Sequence, residues 1–167
     1  LCRISGLRWI RILYCYPEEI YEDLIQTMKR EEKICHYLDL PIQHASDAVL
    51  RRMGRRTTRA DLEQIVTHLR EEIPDIVLRT TLIAGFPGET EEQHQEVMEF
   101  IDEMEFDRLG VFTYSQEEDT PAASMPDQID EETKLNWREE LMELQQEIAF
   151  DRAEERTGSV VTAMIEG

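Results

Sequence analysis

The sequence is poor in the residues that hold small secreted domains together, and it lacks the long apolar runs of membrane proteins. Its three cysteines, Cys2, Cys15 and Cys35, are odd in number and widely spaced, which excludes a disulfide-stapled scaffold and a close-spaced metal site. No apolar run reaches the length that spans a bilayer, and no basic-then-apolar leader is visible. The sequence therefore predicts a domain of a reducing, cytoplasmic environment.

Positive charge is scarce as well. The 167 residues include 18 Lys and Arg against 37 Asp and Glu, and the net charge of −19 argues against general affinity for nucleic acid. The imbalance lies in one part of the chain, since residues 1–59 have a net charge of +3 and residues 60–167 one of −22. This asymmetry indicates either a solvated acidic surface or a surface for a basic partner.

What the sequence does contain is a regular alternation of strand-like and helix-like segments. β-Branched and aromatic runs predict strands at residues 9–14, 37–42, 76–83 and 109–114, with a fifth run at 159–165. Amphipathic segments with apolar residues at helical spacing follow each of the first four runs. Four such units predict an α/β fold with parallel strands and right-handed crossovers, which is either a small open sheet or part of a barrel.

Helix boundaries are marked by capping residues and a proline. Thr58 with Asp61, and Thr90 with Gln93, have the spacing of capping boxes at the starts of two helices. Pro17 has the position of a first-turn proline and predicts that the first helix begins there.

In parallel α/β folds, ligands bind where the carboxyl ends of the strands meet, so residues after each strand are candidates for a site. Gln43, His44 and Ser46 follow the second strand, and the amide and hydroxyl groups of Gln43 and Ser46 suit ribose hydroxyls. Ser46 serves equally well as a helix cap, and a lone histidine such as His44 is usually a packing residue. The Gly-Phe-Pro-Gly turn at residues 85–88 either admits a flat base close to the backbone or is an ordinary βα turn.

Three other features carry charge or reactivity. Arg79 interrupts the apolar third strand, so it must pair with a carboxylate of either an acidic neighbour or a ligand. Cys15, at the end of the first strand, is interpreted as a small packing side chain rather than a nucleophile. One basic cluster is either a solvated helix face or a grip for phosphate or an acidic segment. It comprises Arg51, Arg52, Arg55, Arg56 and Arg59.

Four strand-end segments together resemble the radical S-adenosylmethionine (SAM) methylthiotransferases. They are Tyr-Cys-Tyr-Pro at residues 14–17, Leu-Pro-Ile-Gln-His-Ala-Ser-Asp at 40–47, Arg-Thr-Thr-Leu-Ile-Ala-Gly-Phe-Pro-Gly-Glu-Thr at 79–90 and Leu-Gly-Val-Phe-Thr-Tyr-Ser-Gln-Glu-Glu at 109–118. Each segment alone is weakly specific, whereas the four in this order and at these intervals are specific. The similarity runs from about Trp9 to the C-terminus.

Within that family, Gln-His-Ala-Ser at residues 43–46, Arg-Thr-Thr at 79–81 and Gln-Glu-Glu at 116–118 resemble the RimO type. Enzymes of this type add a methylthio group to the β-carbon of an aspartate in a small-subunit ribosomal protein. The MiaB-like branch, which modifies tRNA adenosine, is the alternative within the family. A non-catalytic module that binds a nucleotide or a protein is the alternative outside it.

The resemblance implies an open TIM-like barrel, of which residues 1–157 would form the C-terminal part and residues 158–167 the first strand of a TRAM domain. It also implies SAM and two 4Fe–4S clusters as cofactors of a longer parent enzyme. The cluster motif of the family, Cys-x3-Cys-x2-Cys, has no match here. We therefore expect the chain alone not to cleave SAM, and we assign none of its residues to a metal or to catalysis.

The resemblance further implies how SAM is held and which partners the parent enzyme has. Gln43 and Ser46 would hydrogen-bond the ribose, and Arg79 would pair with the methionyl carboxylate. The adenine would lie along three consecutive residues, Ile83, Ala84 and Gly85. The parent enzyme would use a reductant protein and a small-subunit ribosomal protein in the cytoplasm, without binding membranes or, strongly, nucleic acid.

Overall fold

The structure is a computed structural model and describes residues 1–163. Strands and helices alternate along this part of the chain. Its strands are β1 (Ile10–Ile12), β2 (Ile34–Asp39), β3 (Val77–Ala84) and β4 (Arg108–Thr113). Its α-helices are α1 (Glu22–Arg30), α2 (Asp47–Arg52), α3 (Arg59–Glu72), α4 (Glu91–Met104) and α5 (Glu131–Glu155), and 3-10 helices cover Pro17–Glu19 and Pro121–Ser124. None of these helices is long and apolar enough to cross a membrane.

The four described strands lie in one parallel sheet in the order β1-β2-β3-β4. Each strand lies next to the strand that precedes it in the chain, and successive strands are added at the same edge of the sheet. Right-handed crossovers between strands added in this way place the connecting helices on one side of the sheet. This is the wall of a singly wound barrel, whereas a doubly wound sheet has helices on both sides. The predicted α/β fold with parallel strands is confirmed, and the strand order favours the barrel over the open sheet.

The main core lies between the sheet and its helices. Leu38, Leu78 and Leu82 point from the sheet into this layer, and each is at most 1% exposed. Buried apolar residues of α3, α4 and α5 pack in the same layer: Leu62, Val66, Leu69, Val97, Phe100, Ile101, Trp137 and Leu141. Burying one such side chain contributes about 1.5–3 kcal/mol. This layer is therefore the main source of stability, and it positions the strand ends.

The opposite side of the sheet, called the open face below, carries the alternate residues of each strand. Its members are Arg11, Tyr37, Asp39, Val77, Arg79, Thr81, Ile83, Arg108, Gly110 and Phe112. The described helices leave it uncovered, and Phe112 is 61% exposed there. Parallel sheets are normally covered on both faces. In a complete barrel this face lines the interior.

Two elements, the first helix and the second strand, differ from the sequence prediction by three residues or more. Pro17 begins a 3-10 helix, and α1 begins only at Glu22, because Ile20 is extended and packs against the main core. The strand predicted at residues 37–42 lies instead at Ile34–Asp39. Pro41 has no N–H to donate, so the ladder is interrupted there, and pairing resumes at a single bridge between Gln43 and Leu82.

The fifth predicted strand falls at the end of the described chain. Residues 159–163 form no strand, and residues 164–165 lie outside the described part. The division into a barrel part at residues 1–157 and the start of a TRAM domain at 158–167 therefore stays a prediction.

Candidate functional site

The carboxyl ends of β2 and β3 are joined side by side. The backbone N–H of Gln43 donates to the carbonyl of Thr81 (2.9 Å), and the N–H of Ile83 donates to the carbonyl of Gln43 (2.9 Å). Gln43 has a positive φ of 71°, which turns the chain out of the sheet toward α2. Two of the predicted site residues, Gln43 and Ile83, are thus brought together at one edge of the sheet.

Ser46 lies at the N-cap position of α2. Its hydroxyl makes no capping hydrogen bond, so the structure does not show the helix-cap role that was the alternative for this side chain. The backbone N–H of Ser46 donates instead to Nδ1 of His44 (2.9 Å). Ser46 is thus a buried residue, 2% exposed, whose hydroxyl does not cap the helix and whose backbone His44 holds in place.

His44 is the centre of a buried network that ties two loops together. Because its Nδ1 accepts from Ser46, its proton is on Nε2, which donates to Oε1 of Glu89 (3.0 Å). The other Glu89 oxygen accepts from the N–H groups of Gly85 (2.7 Å) and Phe86 (3.0 Å). Glu89 was not predicted from the sequence, although a carboxylate just after a glycine turn can bind the N–H groups that such a turn exposes.

A lysine from the last helix covers Gly85. Gly85 has a φ of 76°, and a Cβ at this position would collide with Cγ of Lys134. The Lys134 ammonium is buried and donates to the carbonyl of Tyr114 (3.1 Å) and to Oε1 of Glu131 (2.7 Å). Helix α5 thus holds the ends of β3 and β4 from the helix side. No local sequence pattern indicates this role for Lys134.

The three residues predicted to line an adenine do not share one environment. Ile83 lies on the open face and is partly buried, whereas Ala84 points into the main core and is 1% exposed. Gly85 lies beneath Lys134, so Ile83 offers the one side chain of the three that faces the open side. The groups at this edge are an amide, a hydroxyl and an apolar side chain, and such a set fits a nucleoside.

Arg79 lies apart from the other candidates. It is the register neighbour of Asp39, and its Nη1 donates to Oδ2 of Asp39 at 2.5 Å. Along β3 it precedes Leu82, the bridge partner of Gln43, by three residues, which correspond to about 10 Å. The acidic neighbour is therefore the main partner of Arg79. Its side chain is nevertheless 37% exposed on the open face.

The thiol of Cys15 lies near the same carboxylate. The Cys15 N–H donates to the carbonyl of Asp39 (2.9 Å). Burial, and secondly the charge of Asp39, raise the pKa of the Cys15 thiol above its ordinary value. A thiol that is held protonated is a poor nucleophile, which agrees with the interpretation of Cys15 as a small packing residue.

Two arginines of the basic cluster are engaged in contacts within the structure. Arg52 donates to Oε1 of Gln93 (2.9 Å), and Arg59 pairs with Glu63 and Glu103, each at 2.8 Å. The hydrogen bond to Glu63 is the main cause of the raised pKa of Arg59. These two arginines join α2 and α3 to α4, so a structural role accounts for them better than phosphate binding does.

The described residues do not assemble a metal site. The three cysteines are free, and within residues 1–163 no group of three or more His, Cys, Asp or Glu side chains is placed to hold an ion. This part of the chain therefore does not fit an iron–sulfur cluster.

Comparison with sequence models of known families shows the superfamily to which this chain belongs. Residues 1–101, more than half of the chain, match the sequence model of the Radical SAM superfamily. The chain belongs to the radical SAM superfamily. Parallel strands with ligand groups at their carboxyl ends are the expected setting for a site in such a barrel.

Relatives of this radical SAM chain refine the comparison. Over all 167 residues it is 62% identical to ribosomal protein uS12 methylthiotransferase RimO of Lachnoclostridium phytofermentans, and it is 53% identical to the protein of the same name from Geobacter sulfurreducens. It spans only 38% and 37% of the lengths of these two proteins. The resemblance to the RimO type is confirmed.

Two solved structures share the fold of this radical SAM chain. Coproporphyrinogen III oxidase (HemN) from Escherichia coli, a radical SAM enzyme, matches 84% of the chain with 32% of its own length, at a TM-score of 0.69 and 24% identity. The archaeal Elp3 of Methanocaldococcus infernus matches 82% of the chain with 32% of its own length, at a TM-score of 0.63 and 16% identity. At these identities both likenesses bear on the fold alone, and they agree with an open TIM-like barrel.

Proposed function

We propose that this chain is part of a methylthiotransferase that uses SAM to add a methylthio group to the β-carbon of an aspartate in ribosomal protein uS12. The observation that carries the proposal is the 62% identity, over the whole chain, to a protein named ribosomal protein uS12 methylthiotransferase. The chain spans 38% of that relative, so the proposal concerns the whole protein, to which these residues contribute one part.

In this proposal, the strand ends hold the nucleoside of SAM. Gln43 and Ser46 hydrogen-bond the ribose hydroxyls, and the adenine lies along the backbone of Ile83, Ala84 and Gly85 with the Ile83 side chain against it. Two observations support these roles. Gln43 and Ile83 pair through their backbones, and the Ser46 hydroxyl is not used as a helix cap. Ala84 and Gly85 contribute backbone only, because the side-chain position of each is turned toward the helices.

Arg79 pairs with the methionyl carboxylate in the same proposal. Asp39 engages Nη1 of Arg79, and a guanidinium has further N–H donors for a second carboxylate. SAM, when bound and reduced, supplies the radical that activates the substrate carbon. The residues of this chain bind and orient SAM. In this proposal two 4Fe–4S clusters and a reductant protein belong to the parent enzyme, and the described residues of this chain would hold neither cluster.

The acidic part of the chain suits a basic partner. Residues 60–167 have a net charge of −22, and attraction to a ribosomal protein rich in Lys and Arg would speed the encounter. The same charge repels the phosphates of tRNA, which disfavours the MiaB-like alternative. In this proposal the partner of the reaction is uS12, free or on the ribosome, in the cytoplasm, and the charge supports that choice.

The test of the activity uses the full-length protein, reconstituted anaerobically with iron and sulfide and incubated with SAM, a reductant and uS12. Peptide mass spectrometry should show one added methylthio group on the target aspartate and none on a uS12 variant with asparagine at that position. Modification of tRNA in place of uS12 would support the MiaB-like branch. Modification of neither substrate would favour the alternative in which the chain is part of a non-catalytic module that binds a nucleotide or a protein.

The test of the SAM site is Ser46→Ala in the same protein. Loss of a ligand hydroxyl should weaken binding of S-adenosylhomocysteine about tenfold, measured by calorimetry. Ser115→Ala is the matched control, because the Ser115 hydroxyl bonds Glu117 at an exposed position. Equal affinities of the two variants would remove Ser46 from the site.

A further inference from the structure

The segment that follows β1 presents three exposed tyrosines. Tyr14, Tyr16 and Tyr21 are 70%, 53% and 60% exposed, and residues 14–21 are called the tyrosine lip below. Tyrosine side chains are enriched at protein interfaces, and groups of exposed apolar side chains mark interaction sites. The tyrosine lip is therefore a candidate docking surface.

The residues between the tyrosines anchor the lip to the rest of the domain. Cys15 and Ile20 pack against the main core, and Pro17 is buried. The backbone N–H of Cys15 also donates to the carbonyl of Asp39 (2.9 Å). The exposed rings are thus carried by a backbone that is fixed at three points. A surface that is formed in advance loses little conformational entropy when it binds a partner.

The tyrosine lip borders the proposed nucleoside site. The carbonyl that accepts from the lip belongs to Asp39, the last residue of β2, and Gln43 and Ser46 follow in the next connection. From the segment after α2, Cζ of Arg55 lies over the ring of Tyr16, 5.1 Å from its centre. A polypeptide seated on the lip would therefore lie at the carboxyl ends of the strands, where ligands of such barrels bind.

The chemistry of the lip suits a partner rich in Lys and Arg. The lip contains Glu18 and Glu19 and no Lys or Arg, and the ion pairs of residues 1–163 include neither glutamate. The faces of tyrosine rings also attract cations. Tyr16 already has such a cation, whereas within the described residues Tyr14 and Tyr21 have none. Two carboxylates and two free ring faces are thus open to a cationic partner.

We propose that the tyrosine lip is the docking surface for a Lys- and Arg-rich segment of uS12 next to the aspartate that is modified. This inference rests on the proposed function, which makes uS12 the substrate. Cationic side chains of the segment lie against the faces of Tyr14 and Tyr21 and pair with Glu18 and Glu19. Arg55 offsets only one of these two carboxylates. The lip binds the substrate protein, and the neighbouring ends of β2 and β3 bind SAM.

The experiment uses the full-length protein and two double variants, Tyr14→Ala/Tyr21→Ala and Glu18→Lys/Glu19→Lys. Calorimetry at low ionic strength measures how tightly each variant binds purified uS12, S-adenosylhomocysteine and tRNA. Thermal unfolding checks that each variant is folded.

Each double variant has a matched control far from the lip in the sequence. Phe150→Ala removes a ring of α5 that is 66% exposed. Glu154→Lys/Glu155→Lys makes the same change in net charge at two exposed positions of α5. This second control separates contact at the lip from the long-range attraction between the acidic chain and a basic protein.

We expect Tyr14→Ala/Tyr21→Ala to weaken the binding of uS12 about tenfold, because two cation–π contacts are lost. Glu18→Lys/Glu19→Lys should weaken it about tenfold or more, since attraction becomes repulsion. The controls should change it about twofold or less, because exposed charges outside the interface are screened. All variants should bind S-adenosylhomocysteine as the wild type does.

Folded lip variants that bind uS12 as tightly as their controls would overturn the docking surface and leave the proposed function standing. An equal loss of uS12 and of S-adenosylhomocysteine in the lip variants would also overturn it, because the lip would then belong to the nucleoside site. A wild-type protein that binds tRNA and not uS12 would overturn both the docking surface and the proposed function. Binding of neither macromolecule by the wild type would do the same.

Discussion

Nε2 of His44 lies 3.0 Å from Oε1 of Glu89, and both side chains are at most 2% exposed. The pair joins the loop that carries Gln43 and Ser46 to the turn that begins at Gly85. The two halves of the proposed nucleoside site are therefore held by one buried hydrogen bond, and a change in either partner should disturb both halves.

Replacing His44 by alanine should lower the free energy of unfolding by about 3 kcal/mol, because the buried Glu89 loses its side-chain donor. The same variant should bind S-adenosylhomocysteine more weakly, since the backbone N–H of Ser46 loses its acceptor, Nδ1 of His44. Denaturant unfolding and calorimetry measure the two effects. His36→Ala is the control, as its partner Asp75 is at the surface. Equal effects of the two substitutions would contradict a special role for the buried pair.

Replacing Gly85 by alanine should destabilise the protein by about 3 kcal/mol, since the new methyl group meets Lys134 in a left-handed backbone. Gly54→Ala separates the cost of the left-handed backbone from the cost of the collision with Lys134. Gly54 also has a positive φ, of 76°, but no atom lies within 4 Å of the added Cβ. We expect about 1 kcal/mol for Gly54→Ala. Equal losses in denaturant unfolding would show that Lys134 moves aside without cost.

Replacing Thr58 or Thr90 by alanine should each cost about 1 kcal/mol, because each side chain accepts a backbone N–H at the start of α3 or α4. Thr67→Ala is the control, as Thr67 is an exposed residue inside α3, where alanine is the better helix former. Denaturant unfolding should show losses for the two caps and none for Thr67. A loss at Thr67 as large as at the caps would contradict this account.

The surface pair of His68 and Glu22 should make stability depend on pH. Their mutual hydrogen bond is the main cause that raises the pKa of His68 and lowers the pKa of Glu22. The His68 contribution is complete below the ordinary histidine pKa and is lost as pH rises through the raised value. The Glu22 contribution is present above the ordinary glutamate pKa and is lost as pH falls through the lowered value.

The pair should therefore stabilise most between about pH 4.3 and 6.5, the ordinary pKa values of the two side chains. The difference in unfolding temperature between the wild type and His68→Gln should be largest in that window and should disappear in the alkaline range. NMR titration should show a lower pKa for His68 after Glu22→Gln. The same His68 pKa in both proteins would refute the coupling.

The sequence predicted correctly those elements that depend on interactions between residues close together in the chain. Both capping boxes form as predicted, because Thr58 and Asp61, or Thr90 and Gln93, lie within one helical turn. The second strand was misplaced because the apolar run continues through Pro41, which has no N–H for the ladder.

The site residues were less predictable, because their partners lie far away in the chain. For Arg79 the sequence left a choice between an acidic neighbour and a ligand, and Asp39, 40 residues earlier, is the neighbour. Ser46 has the position of a helix cap, yet its hydroxyl makes no capping bond.

By itself, the sequence determined the order of the four described strands and the helices between them to within a few residues, and its strand-end motifs pointed to the radical SAM superfamily. Hydrophobic periodicity, caps and consecutive motif residues all act within a few positions of each other. Only the tertiary structure decided that His44 meets Glu89, that Lys134 covers Gly85 and that Arg79 stands between Asp39 and Arg108. These contacts depend on the register of parallel strands and on where α5 crosses their ends, which no short stretch of sequence specifies.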